Sequence, residues 1–284
     1  SLIPRIIAAG RIASPSDAVQ LLLTDDLSEA RVLAEKLDSY NRNRQAMEKK
    51  ILSDILEMIN RSDTMDKMNS LVFSSDQWHP GIIGIVASRL VELFNRPAFV
   101  ISLQNGMGKG SGRSISGFNI YKGIQQCAHL LASYGGHYHA AGISIKKENI
   151  AEFAALLDQI TLDNAQISDV SVQTNIDAEC PIANTRADWI TQFELLAPFG
   201  SKNPEPLLYA RDVRASSLFI VGNNHLKMSL NSNGASRDSI WFNMGKYIHT
   251  LNGTAFDLVF TPQINNWNGS QDVQLKIKDI NIIS

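Results

Sequence analysis

Residues 27–61 contain neither proline nor glycine, and this long stretch most constrains how the chain can fold. Asp26 can cap its start, with Glu29 as a capping-box partner. A helix over these residues would span roughly 50 Å, which is long for one small domain. The sequence therefore predicts a rod that joins two domains. Apolar residues recur along it at helical spacing, at Leu33, Leu37, Tyr40, Met47, Ile51, Ile55 and Ile59.

Arg44 interrupts this apolar stripe in the middle of the predicted helix. The neighbouring positions 41–45 are all polar, as Asn, Arg, Asn, Arg and Gln. They either form a solvated face, the commoner case for such a run, or line a cleft between domains.

The composition of the 284 residues is that of a soluble globular protein, with 44% hydrophobic and 19% charged residues. This length favours two domains, and the sequence shows neither an apolar run near 18 residues nor a signal peptide. Cys127 and Cys180 are too few for a disulfide framework, so a cytosolic setting is expected. The net charge is −2, and no third of the chain is strongly basic. Contacts to nucleic acid must therefore depend on local clusters of charge.

One such cluster is glycine-rich and runs from Gly106 to Ser114 as GMGKGSGRS. Glycines on alternate positions let main-chain N–H groups approach an anion closely. Lys109 and Arg113 add positive charge, and Ser111 and Ser114 add hydroxyl donors. The stretch matches neither a P-loop nor a dinucleotide fingerprint. The residue types predict a phosphate cradle that includes Gly112, while a plain glycine-rich hairpin explains the spacing equally well.

A second cluster, Gly135-Gly136-His137, adds a tight glycine pair and an imidazole. We expect it to lie beside the first cluster at one edge of a sheet. His79, His137 and His139 also raise the possibility of a metal site. No acidic residue shares their motifs, so a complete ligand set is not visible and no metal is predicted. His137 is better explained as a phosphate or base contact, or as a structural histidine.

Residues 63–162 alternate strand and helix signals and predict one compact α/β domain. Strands are expected at 70–75, 98–103 and around Ile143 and Ile145, and the segment 109–115 is a strand or a loop. Helices are expected at 82–94, 120–133 and 149–160.

Residues 163–284 instead predict a small β-barrel of the oligonucleotide-binding (OB) kind. A strand is indicated by Val170, Val172, Ile176 and Asp177, and a helix over 186–196. Short strands separated by turn signals follow at 207–214, 217–221, 225–230, 239–244, 256–263 and 273–279.

Several barrel residues are candidates for binding a single strand. Trp241, Phe242 and Phe260 can stack bases, although such residues are more often in the core. Trp267, in a polar turn, is the best candidate among the aromatic residues. Arg211 and Lys227, with Arg214 and Lys246, either track a phosphate backbone or solubilise an acidic barrel.

The first 24 residues contain the motif PRIIAAGR, which ends at Arg11. Gly10 and Arg11 form either a turn that faces a substrate or a loop between two helices. The chain does not begin with Met, and we expect it to be a fragment whose N-terminal part is missing.

Taken in order, the motifs resemble those of the RecJ family of single-strand-specific exonucleases, in the DHH phosphoesterase superfamily. The resemblance runs from residue 4 to the end of the chain and indicates the C-terminal two thirds of such an enzyme. Ile7 departs from it, because the family usually has Asn there. The matching stretches are PRIIAAGR, WHPGIIGI, GSGRS, GGHYHAAG and FGSKNPEP.

The resemblance implies four segments: the end of a DHH catalytic domain (1–26), a connecting helix (27–62), a DHH-associated (DHHA1) α/β domain (63–162) and an OB-fold domain (163–284). The full enzyme would degrade single-stranded DNA from its 5′ end, in DNA repair and recombination. It would use Mn²⁺ or Mg²⁺ bound by the DHH domain, which this chain lacks. Arg11, Ser111, Arg113 and His137 would hold substrate phosphates.

By this resemblance the chain binds single-stranded DNA but contains no catalytic residue and no metal. It is expected to be a cytoplasmic monomer, with a single-strand-binding protein and a helicase as further partners. Two alternatives stay open: a stand-alone nucleic-acid-binding module, and a phosphodiesterase of the nano-RNase or cyclic-dinucleotide kind. The predicted barrel argues against the second, because those relatives generally lack it.

Overall fold

The structure is a computed structural model that describes residues 2–62, 68–164, 174–200, 202–222, 224–267 and 270–283. The chain divides into two compact units, residues 1–172 and 173–284. Within the described residues, no helix combines the length and the apolar character needed to span a membrane.

The first unit opens with three helices: α1 (Ile3–Ile12), α2 (Ser16–Leu23) and α3 (Leu27–Ser62). The long helix is therefore confirmed. Asp26 caps it, since its Oδ1 accepts from Ser28 N at 2.7 Å. Glu29 is not the capping-box partner, because its carboxylate bonds Thr24 and Gln20 instead. Gly10 and Arg11 lie inside α1, so the turn or loop predicted for them is wrong.

The stripe on α3 supports two separate cores. Leu37, near the start of the helix, packs with Ala9 and Ala18 of the first two helices. Ile51 and Ile55, near its end, pack in a second cluster with residues of the α/β domain. Between them Arg42, Asn43 and Gln45 are exposed, as predicted for a solvated face, whereas Asn41 is buried and Arg44 pairs with Glu48 at 2.7 Å.

The α/β domain is a five-stranded sheet with strand order β1-β2-β3-β5-β4. The first two strands are parallel because α4 connects them, and the other pairs are antiparallel. Its strands are β1 (Leu71–Ser75), β2 (Ala98–Gln104), β3 (Met107–Arg113), β4 (Leu131–Gly136) and β5 (Ala140–Lys146). Its helices are α4 (Ile83–Phe94), α5 (Ile120–Gln126) and α6 (Ile150–Asp163).

Strand β2 of this sheet is covered on both faces. Val100 of β2 packs toward the cluster that includes α3 and α4. Phe99, one residue earlier, faces the opposite side, where its ring meets Phe153 of α6 edge-on at 5.4 Å. Adjacent residues of a strand point to opposite faces, so the continuous apolar run of β2 reflects its burial on both sides.

The single helix predicted over 120–133 is wrong. The helix ends at Gln126, a short 3-10 turn spans Ala128–Leu130, and β4 begins at Leu131. Residues 131–136 pair with β5, and this tertiary pairing outweighs the local helical pattern.

The second unit contains β6 (Ala178–Glu179), α7 (Ala187–Phe193) and a closed barrel. The barrel strands are β7 (Leu208–Val221), β8 (His225–Ser232), β9 (Ala235–Trp241), β10 (Ala255–Trp267) and β11 (Ser270–Ile282). Neighbouring strands follow the order β7-β8-β9-β11-β10, and β10 closes the barrel by pairing with β7. The β9–β11 pair is parallel and the others are antiparallel. This five-stranded closed barrel confirms the predicted OB fold.

Two details of the barrel differ from the sequence prediction. The strands expected at 207–214 and 217–221 form one strand, β7, in which Asp212 and Ser217 adopt φ values of 47° and 51° and the pairing with β8 shifts register between Ser216 and Phe219. The third strand starts earlier than expected, at Ala235, directly after a turn in which Asn233 and Gly234 have positive φ. The strand signals at Val170 and Val172 lie outside the described residues.

Candidate nucleic-acid interface

The alternate glycines of β3 face the protein core. A Cβ on Gly112 would lie 2.3 Å from Cζ of Phe99, and one on Gly110 would lie 2.6 Å from Cγ1 of Ile143. Because β3 pairs with β2 on one side and β5 on the other, its N–H groups are used in the sheet. These glycines therefore make room for large core residues, and their amides are not free to cradle an anion.

The opposite face of β3 presents the chemistry, through Lys109, Ser111 and Arg113. Arg113 Nη1 donates to Ser111 Oγ at 3.1 Å and to the carbonyl oxygen of Gly112 at 2.8 Å. Its guanidinium lies against Gly84 in the first turn of α4, where a Cβ would come within 3.2 Å of Nη2. Glycine at position 84 thus leaves space for this side chain between the sheet and α4.

Arg11 reaches the same place from the end of α1. Its Nη1 donates to the carbonyl oxygen of Gly81 at 3.3 Å. The backbones also touch, since a Cβ on Gly81 would lie 2.0 Å from the carbonyl oxygen of Arg11. The segments PRIIAAGR and WHPGIIGI, distant in sequence, therefore form one contact.

Arg11 and Arg113 line a cleft of 270 Å³ whose other walls are residues of α4. Among the described residues, neither arginine forms an ion pair with a carboxylate. Burial lowers the pKa of Arg113, and repulsion from Arg11 lowers it further. Two guanidinium groups that repel each other without a counter-charge are suited to bind an anion such as a phosphate.

The Gly135-Gly136-His137 motif lies at the same end of the sheet, on the far side of β5. Arg113 pairs with Ala140, and Gly136 pairs with the adjacent Ala141, so one strand separates the two motifs by about 10 Å. His137 is exposed, and the 270 Å³ cleft does not include it. The two clusters therefore lie at the same end of the sheet, but their strands, β3 and β4, are separated by β5.

The loop after Gly136 is anchored by the end of the glycine-rich stretch. Ser114 N donates to His139 O at 3.0 Å, and Ser114 Oγ donates to Phe118 O at 2.7 Å. Gly136 itself has no room for a side chain, because a Cβ would lie 2.5 Å from Ala140 O. Ser114 and Gly136 hold this loop in place, whereas Gly135 has open space around it.

No group of three His, Cys, Asp or Glu side chains within the described residues is arranged to hold a metal ion. His79, one of the three histidines considered for a metal site, accepts a hydrogen bond from Gly81 N at its Nδ1. Both cysteines are free, and burial raises the pKa of Cys127 to about 11, so its thiol stays protonated at neutral pH.

Two of the four candidate cations of the barrel are paired with acids. Arg211 Nε lies 3.1 Å from Glu179, and Lys227 Nζ lies 3.6 Å from Asp238. Arg214 donates to Gly253 O at 3.4 Å, and the Lys246 ammonium lies 5.0 Å from the centre of the Tyr247 ring. Arg211 and Lys227 are therefore balanced by carboxylates, whereas Arg214 contacts a carbonyl oxygen and Lys246 an aromatic ring.

The aromatic candidates of the barrel separate into core and surface residues. Phe260 is fully buried and Trp241 nearly so, which assigns both to the core. Phe242 is 43% exposed, while the side chain of Trp267 lies outside the described part of the structure. Phe219 was missed: it is 46% exposed, with Lys227 Nζ 5.9 Å from its ring centre. Its place in a predicted apolar strand gave no sign of this exposure.

Comparison with known proteins agrees with this architecture. Residues 67–162 match the family model described as the DHHA1 domain, and residues 176–279 match the RecJ OB domain. The single-stranded-DNA-specific exonuclease RecJ of Bacillus subtilis is 33% identical over 98% of this chain, and the Escherichia coli RecJ is 31% identical over 98%. The chain spans 36% and 50% of their lengths, respectively, so the expectation of two thirds was too large.

Solved structures give the same result. The crystal structure of RecJ from Thermus thermophilus in complex with Mn²⁺ matches 98% of this chain and 40% of its own, with a TM-score of 0.77 and 27% identity. The Mg²⁺ complex from the same organism has a TM-score of 0.75. The chain therefore contains a DHHA1 domain followed by a RecJ OB domain, and it is homologous over nearly its whole length to part of the RecJ exonucleases.

Proposed function

We propose that this chain is the substrate-binding part of a RecJ-type exonuclease that degrades single-stranded DNA from the 5′ end in DNA repair and recombination. The observation that supports this best is the cleft where Arg11 and Arg113 face each other without a carboxylate partner among the described residues. Such a cleft binds a phosphate of the strand, with Ser111 beside Arg113. Lys109 and the loop at His137 hold neighbouring parts of the backbone.

In this proposal the barrel binds the strand further along. OB folds bind oligonucleotides on one face of the barrel, chiefly through stacking and a basic groove. Here the exposed ring of Phe219, with Lys227 beside it, supplies both kinds of contact.

We infer that the cutting step belongs to a catalytic domain that packs against the N-terminal helices. Apolar side chains on α1 and α2 are unusually exposed for a folded protein, including Ile3 at 67%, Leu22 at 64% and Leu23 at 75%. A neighbouring domain would cover them. The RecJ structures that match this chain were solved with Mn²⁺ or Mg²⁺, which activate water for attack on phosphodiesters. The described residues here offer no ligand set for either ion, so no step is assigned to them.

The remaining expectations extend this proposal. The full-length enzyme would work in the cytoplasm as a monomer, together with a single-strand-binding protein and a helicase. These partners follow from the family resemblance.

The test is to measure binding and cleavage with this chain alone. We expect labelled 5′-phosphorylated single-stranded DNA to bind more tightly than the same sequence as a duplex, with no digestion in Mn²⁺. Digestion that depends on Mn²⁺ would contradict the assignment of cutting to another domain. Tighter binding of a dinucleotide than of a long strand would favour the phosphodiesterase alternative. An upstream Asp-His-His segment in the same reading frame would exclude a stand-alone binding module.

A further inference from the structure

A third guanidinium, that of Arg89, lines the cleft of Arg11 and Arg113. It lies on α4, five residues after Gly84, which places it about 7.5 Å further along the helix than the contact with Arg113. Arg89 belongs to none of the motifs that indicated the site. A DNA strand that continues from Arg113 along α4 would place further backbone phosphates beside Arg89.

Arg89 is held by two carboxylates of different character. Its Nη1 lies 2.7 Å from Oε2 of Glu92, and its Nε lies 3.6 Å from Oε1 of Glu48. Glu92 is 60% exposed and lines the cleft, whereas Glu48 is 17% exposed. Glu48 is itself fixed by Arg44 of α3 at 2.7 Å. One partner of Arg89 is therefore a fixed anchor and the other is an exposed surface carboxylate.

Glu92 is the one carboxylate among the described residues that line this cleft. A carboxylate and a phosphate oxygen accept from the forked guanidinium in the same way. In the exposed pair the attraction is weak, because water screens it. A phosphate that enters the cleft can thus replace Glu92 without moving the edge of Arg89 that faces Glu48.

We propose that Arg89 is a third phosphate-binding residue of this cleft and that Glu92 occupies the place of a strand phosphate in the free protein. The inference rests on the proposed function, and it adds a specific exchange: Arg89 releases Glu92 and binds the DNA backbone, while Glu48 keeps it aimed at the cleft. Arg113 and Arg89 would then contact different phosphates of one strand.

The first test compares Arg89→Gln with Arg61→Gln. Arg61 is a matched control, since it is an exposed arginine paired with a glutamate, Glu57, on a helix. Binding of a 5′-phosphorylated oligonucleotide is measured over a range of salt concentrations. We expect Arg89→Gln to lower affinity on the order of tenfold and to reduce the slope of log K against log salt by about 0.7, the value for one lost phosphate contact on a single strand. Arg61→Gln should change neither.

The second test is a double-mutant cycle with Glu92→Gln. If Glu92 competes with the strand for Arg89, Glu92→Gln raises affinity several-fold in the wild-type background and much less in the Arg89→Gln background. An equal gain in both backgrounds would mean that Glu92 only repels DNA, and it would overturn the exchange.

The two proposals fail in different ways. If Arg113→Ala weakens binding while Arg89→Gln matches the Arg61 control, the third contact is overturned and the proposed function stands. If the wild-type chain does not prefer single-stranded DNA, the proposed function and the role of Arg89 are both overturned. Thermal unfolding followed by circular dichroism shows whether each variant is folded.

Discussion

The cleft of Arg11 and Arg113 and the barrel surface differ in how their candidate cations are partnered. In the α/β domain, Arg11 and Arg113 are brought together without an acidic partner among the described residues. In the barrel, Arg211 is paired with Glu179 and Lys227 with Asp238. The first arrangement is costly for the free protein, because like charges repel in a partly buried place. An anion bound between the two guanidinium groups would offset this repulsion.

This difference suggests how the two units divide the work. Under the proposed function, Arg11 and Arg113 of the first unit bind a phosphate, so charge dominates there. On the barrel, Arg211 and Lys227 are already paired with carboxylates, so a strand would gain little from these two charges unless the ion pairs are broken. Binding at the barrel should therefore depend more on exposed rings such as Phe219 than on its arginines and lysines.

The largest expected effect concerns the glycines that support the α/β site. Gly112→Ala should lower the free energy of unfolding by about 3 kcal/mol, because the added methyl overlaps the Phe99 ring and β3 is held on both sides. Gly135→Ala is the matched control: it has open space, and we expect a change of less than about 0.5 kcal/mol. Urea unfolding of both variants measures this. Equal effects would mean that β3 can shift to accept a side chain.

The next effect compares the two kinds of arginine directly. Arg113→Ala should weaken binding of 5′-phosphorylated single-stranded DNA by about 2 kcal/mol, since it removes charged hydrogen bonds in a partly buried cleft. Arg211→Ala should cost about 0.5 kcal/mol or less, because Arg211 is exposed and already paired. Fluorescence anisotropy gives both values. A larger loss for Arg211 would reverse the division of work.

The same variants can be measured with an oligonucleotide that lacks the 5′ phosphate. We expect Arg113→Ala to affect the phosphorylated strand more. An equal loss on both strands would show that Arg113 contacts the backbone in general and not the terminal phosphate.

The smallest effect tests the barrel. Phe219→Ala should weaken binding by about 1 kcal/mol if the ring stacks a base. Ile220→Ala is its control, because the neighbouring residue is similarly exposed at 51% and points to the other face of the strand. Binding curves are measured for the wild type and both variants. If the curve of Phe219→Ala coincides with that of the wild type, Phe219 is not a stacking residue.

Sequence alone predicted the architecture where local patterns and tertiary structure agree. The stripe from Leu33 to Ile59 and the turn at Asn233 and Gly234 each have a strong local cause, and both elements were confirmed. The helix predicted over 131–133 was wrong for the opposite reason. The place of residues 131–136 is set by pairing with β5, and a local pattern contains no information about a partner strand.

The structure brings together Arg11 and Arg113, two of the predicted site residues, but the reason predicted for the alternate glycines was wrong. The alternate glycines drew attention to β3, yet their cause is the packing of Phe99, Ile101 and Ile143. The side chains that face the cleft are those between the glycines. That Arg11 meets Arg113 depends on a contact between α1 and the turn before α4, and no spacing within either segment encodes it.

The contact between Gly81 and the carbonyl oxygen of Arg11 has a consequence for the thermodynamics of binding. Because backbone meets backbone with no room for even a methyl group, α1 and the turn before α4 are closely packed at this point. The arginine from the start of the chain is therefore preorganised against the strand that provides Arg113. A phosphate that enters the cleft does not have to bring the two segments together, so little conformational entropy is lost when it binds.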